Sequence, residues 1–125
     1  MWDTLSWVYM ITATLVINHE IDSAYWREWD LFHLPGGISG FLIIHLPLVF
    51  LILYGIVLVS QRAFGGLVLS LILSVCGIAA FVIHVILMKL GHPEFKTPMS
   101  LLILTAGLIS SLVQAGLTLH LLGRL

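Results

Sequence analysis

His19, Glu20 and Asp22 stand within one helical turn of each other, where the first apolar stretch gives way to an aromatic and charged one. Imidazole and carboxylate side by side can hold a divalent metal such as zinc, iron or manganese, or share a proton as an acid–base pair. His19 and Asp22, at i and i+3, occupy one helical face with Asn18 alongside, and Glu20 points about 100° away. His45 and His84 each interrupt a run that otherwise lacks ionisable groups. A polar side chain kept inside such a run costs insertion energy, so each one calls for a reason.

The background explains why these few residues matter. Of 125 residues, 60% are apolar and 9% charged, and the mean hydropathy is +1.13. Such a composition belongs to an integral membrane protein. The net charge of -1 leaves no basic footprint, which argues against a nucleic-acid partner. Cys76 is the single cysteine. It offers no disulfide framework and no paired-cysteine metal knuckle, and reads as a small packed residue. The opening Met-Trp-Asp lacks the basic segment of a signal peptide, so the first apolar stretch is expected to stay as a span.

The expected fold is all-α, an integral membrane four-helix bundle forming a single domain over residues 1–125. Its spans are predicted at about 2–22, 38–60, 65–90 and 98–122. The apolar part of the first, from Trp2 to Asn18, rises only about 25 Å against a ~30 Å hydrocarbon core. To cross, that helix must carry His19, Glu20 and Asp22 to the membrane boundary. Tyr25, Trp26, Trp29 and Phe32 among Arg27, Glu28 and Asp30 predict a short amphipathic helix lying at the interface. Leu34-Pro35-Gly36-Gly37 breaks it. Pro47 should kink the second span and free the Ile43 carbonyl near His45. Gln61-Arg62 and residues 91–96 read as turns, and Thr97-Pro98 as an N-cap followed by proline at the first helical position. Gly66, Ser70 and Ser74, and Gly107, Ser111 and Ala115, recur every four residues. Such ridges let helices approach closely, within one bundle or across a homodimer.

Four spans fold the polar residues onto one side. With the N-terminus on side A, His19, His33, His45, His84 and His92 fall toward side B, and His120 alone toward side A. His45 and His84 lie at matching depth, roughly 10 Å in from side B at ~1.5 Å per residue. His84 also shares a helical face with Gly66 and Gly77, the face expected to point inward. A metal site of His19, His45 and His84 completed by Asp22 follows, with Glu20 and Asp22 as acid–base groups. No HExxH or ExxH motif is present, so the site rests on topology. Glu28, Asp30 and Glu94 read as solvated charges, and His33, His92 and His120 as hydrogen-bonding interfacial residues.

The stretch from His19-Glu20-Ile21-Asp22 through Leu34-Pro35-Gly36-Gly37 resembles the signature of a family of small bacterial four-helix membrane proteins of unknown function. The resemblance implies an inner-membrane protein and supplies no reaction. A looser similarity, to membrane proteins with a His-x-x-Glu-Glu motif, breaks at Asp22 and Ser23. Three function classes remain open. The chain can be an enzyme using metal-activated water or a His/acid pair on a lipid or other amphiphile. It can be a haem or redox module with His45 and His84 as axial ligands. Or it can be a proton- or ion-coupled transporter or interaction subunit, although its halves show no inverted repeat.

Overall fold

The computed structural model describes residues 1–94 and 96–125, and among these every regular element is helical. The order is α1 (Trp2–Tyr25), α2 (Glu28–Leu31), α3 (Gly37–Ser60), α4 (Phe64–Lys89) and α5 (Pro98–Leu122). Three of these, α3, α4 and α5, are long and apolar enough to cross a membrane. At ~1.5 Å per residue, 24 to 26 residues exceed the ~30 Å core with room for tilt. Their outer faces carry large apolar side chains in the open, among them Ile43, Leu46, Leu102 and Ile109, a surface suited to lipid. At 24 residues α1 is as long, but it contains Asp3, Asn18, His19, Glu20 and Asp22.

Local chemistry sets the helix ends. At the end of α4, Gly91 adopts φ 91°. The Gly91 and His92 N–H groups donate to the Met88 and Leu87 carbonyls at 3.2 and 3.1 Å, closing a Schellman motif. The same motif ends α2, with His33 in the left-handed position at φ 54° and Leu34 N–H donating to Trp29 O at 2.8 Å. That backbone role turns His33 outward, and it is exposed. The expected start of α5 is present, with Thr97 Oγ1 accepting from Ser100 N–H at 3.1 Å. Pro47 lies inside α3, which runs helical through it.

The long helices pack on one another. α1 packs on α3, α4 and α5, and α4 packs on α3 and α5. The small-residue ridges make this possible. Gly66, Ser70, Ser74 and Gly77 of α4 are buried, as are Gly107 and Ser111 of α5. Ser70 Oγ and Thr118 Oγ1 meet at 2.8 Å, and Gln114 Nε2 donates to Ser70 O at 3.0 Å. A Cβ on Gly77 would overlap the Ser111 hydroxyl, so glycine there is what lets α5 close on α4. On the other flank Tyr9 Oη donates to Ile52 O at 2.9 Å, and a Cβ on Gly55 would overlap that same hydroxyl. One expectation fails: Cys76 is exposed on the outward side of α4, not packed in a seam.

Candidate metal and acid–base site

The helix α1 continues without a break through His19 to Tyr25, three residues beyond the expected boundary. The extension puts Ser23 one turn after His19 on the buried face, their side chains 3.5 Å apart. His84 arrives from α4, and the two imidazoles meet edge to face with ring centroids 4.6 Å apart. Both are buried, at 4% and 2% exposure. Arg27, in the left-handed conformation at φ 53°, then reverses the chain so that α2 brings Glu28 back over the pair. His19, Glu28 and His84 each offer a ligand atom, all within 4.8 Å of one another. The separation of Glu28 Oε1 from His84 Nε2 is 3.9 Å.

Burial holds the Glu28 carboxyl above the ordinary carboxylate range, opposed by a hydrogen bond from Ser23 and by the field of His84. The imidazole of His84 has one nitrogen fixed: Nδ1–H donates to Ala80 O at 2.6 Å. A carbonyl can only accept, so Nδ1 carries a proton, and Nε2, on the Glu28 side of the ring, is the nitrogen that could ligate a metal once deprotonated. Backbone anchoring of the distal nitrogen is the arrangement usual for metal-ligating histidines.

A second pair lies alongside. His45 Nε2 and Glu20 Oε2 are 2.5 Å apart, and His45 Nδ1–H donates to Phe41 O at 2.7 Å. With Nδ1 committed as a donor, the contact to Glu20 must contain one further proton, held by Nε2 or by the carboxyl group. Phe41 stacks on the His45 ring, with centroids 3.7 Å apart, and Trp29 leans on Phe41. Glu20, Glu28 and His45 line one cleft of about 140 Å³ between α1, α2 and α3. Two carboxylates and an imidazole therefore face a shared space beside the His19–His84 pair.

The residues singled out from sequence divide as follows. His19 and His84 are together, and His45 is with Glu20. Asp22 accepts from Trp26 Nε1 at 3.0 Å and stands outside the group of three ligand atoms. His120, near the end of α5, is exposed. His92 is 3.7 Å from Glu94 at the end of α4. Glu28 joins the cluster although the sequence reads it as a solvated charge. Its signal was present only as a spacing, since any reversal between α1 and α3 folds residues 26–32 back over the end of α1. No curated protein and no solved structure matches the chain. Residues 5–121 match a family of unknown function, DUF6713, and the chain belongs to that family.

Proposed function

We propose that the protein is a four-span membrane protein that binds one divalent metal at the side-B boundary, through His19, Glu28 and His84. The observation that carries the reading is the convergence of three ligand atoms within 4.8 Å, with the His84 tautomer set by Ala80 O. Ligands at about 2.0–2.2 Å in a tetrahedral shell stand roughly 3.4 Å apart, so small rotamer shifts complete the site. Two imidazoles and one carboxylate favour zinc or iron(II). Three protein ligands leave a fourth position for water or substrate, the pattern of a catalytic centre and not of a closed structural one. The bound metal would supply Lewis acidity there. Glu20 and His45, sharing one proton on the neighbouring wall of the cleft, supply the acid–base function.

In this reading α1 is the fourth span. Its polar face is tolerated because Tyr9, Thr12, His19 and Ser23 are turned into the protein, and its acidic end lies at the boundary. The short α2, with Trp29 buried and Arg27 and Asp30 exposed, lies along the interface. The small-residue seams are filled within one chain, so a homodimer would need a different surface. Elemental analysis of detergent-purified protein tests the metal site. About one zinc or iron per chain in wild type, and little in His84→Ala, is the expected result. Protein purified without chelator that holds no metal and takes up none on addition of zinc or iron(II) would refute it.

A further inference from the structure

Glu20 belongs to two cavities. Besides the polar cleft it closes one end of an apolar slot of about 160 Å³ between α1, α3 and α4, which has Tyr9 and Leu69 at its far end. Two residues of the slot wall, Ile72 and Cys76, are exposed on the outer surface, so the slot opens sideways toward lipid. At ~1.5 Å per residue α1 rises roughly 16 Å between Tyr9 and Glu20, and α4 the same between Leu69 and Ala80. That is about half of the ~30 Å hydrocarbon core, the depth of one leaflet. The slot thus runs from the side-B boundary to mid-membrane, and its only ionisable wall residue besides Cys76 and Tyr9 is the carboxylate at its boundary end.

We propose that slot and cleft together bind one lipid of the side-B leaflet, its chain in the slot and an uncharged hydroxyl head at Glu20 and His45. The head is assigned by hydrogen bonding. Glu20 stands in the wall of both slot and cleft, and its oxygens are acceptors, which a hydroxyl satisfies by donating and an ionised phosphate or fatty-acid carboxylate cannot. Glu20 Oε2 is engaged by His45, and its second oxygen can accept from an alcohol. The chain is assigned by shape, since the slot ends at Tyr9, whose hydroxyl is committed to Ile52 O and presents only its ring. The inference deepens the metal-site reading and rests on it for chemistry, because an alcohol oxygen also suits the open metal position.

The test uses full-length protein in phosphatidylcholine nanodiscs with a long-chain primary alcohol carrying a mid-chain diazirine. After photolysis, adducts are mapped by peptide mass spectrometry, and metal per chain is measured on the same samples. Adducts are expected on Leu48, Ile72 and Cys76 in preference to the outward residues Leu102 and Ile109 of α5. Excess unlabelled alcohol should reduce them by about tenfold, and the same excess of the matching fatty acid should not. Ile72→Trp and Cys76→Phe, both at the lipid-facing mouth where bulk is tolerated, should each reduce slot labelling without altering metal content. Adducts spread evenly over the helices, or equal competition by the fatty acid, would overturn the proposal. Loss of slot selectivity with metal retained counts against the lipid site alone. Selective slot labelling in a metal-free protein counts against the metal reading alone.

Discussion

The Ala80 carbonyl takes the Nδ1–H of His84 at 2.6 Å, and that bond decides which nitrogen faces Glu28 and His19. Ala80 lies one turn before His84 on the same helix, so the constraint is local.

The first prediction follows from this geometry. His84→Ala and His19→Ala should each lower metal retention by more than about tenfold, as expected when a ligand is removed from a three-residue site. Glu28→Gln should do the same, whereas Asp22→Asn and His120→Ala should retain wild-type stoichiometry. Competition titrations with a chromophoric chelator measure this, and metal loss in Asp22→Asn equal to that in Glu28→Gln would refute the ligand assignment.

The second concerns pH without metal. Burial raises the Glu28 carboxyl in the folded protein, so the folded state holds this proton more tightly than the unfolded chain does. The associated stability is fully present below the ordinary glutamate value of about 4.3 and is lost as pH rises through the folded value. Chelator-treated wild type should therefore lose melting temperature relative to Glu28→Gln as pH climbs beyond the ordinary carboxylate range. Saturating zinc should reverse the trend, because metal competes with protons for Glu28 and both imidazoles. Melting curves in detergent across pH, with and without zinc, provide the check.

The third concerns the α4–α5 seam. Gly77→Ala places a methyl where the Ser111 hydroxyl sits and should destabilise by about 1–3 kcal/mol through overpacking. Ser111→Ala in the same chain should recover part of that loss. Additive losses in the double variant would show that the two residues do not compete for one space.

The fourth concerns topology. If α1 crosses with α3, α4 and α5, reporters fused at Met1 and Leu125 must fall on the same side of the membrane. Opposite sides would leave three spans and detach α1 from the side-B boundary.

Composition and local signals determined much of this protein from sequence alone. The all-helical character, the breaks at Pro35-Gly36 and Gly91, the Thr97 cap and the inward phase of His84 are each set within a few residues. Helical period and turn chemistry act at that range. The inward small-residue faces of α4 and α5 were legible for the same reason. Which carboxylate meets which histidine was not. Glu20 leaves the His19 face by helical phase and finds His45 because α3 packs on α1. Asp22 shares the His19 face by spacing, yet the Trp26 indole one turn on captures it. Glu28 enters because a left-handed Arg27 folds α2 back over the α1 end. The Glu20–His45 and Glu28–His84 pairings depend on how helices far apart in sequence pack and on one chain reversal, which only the tertiary structure decides.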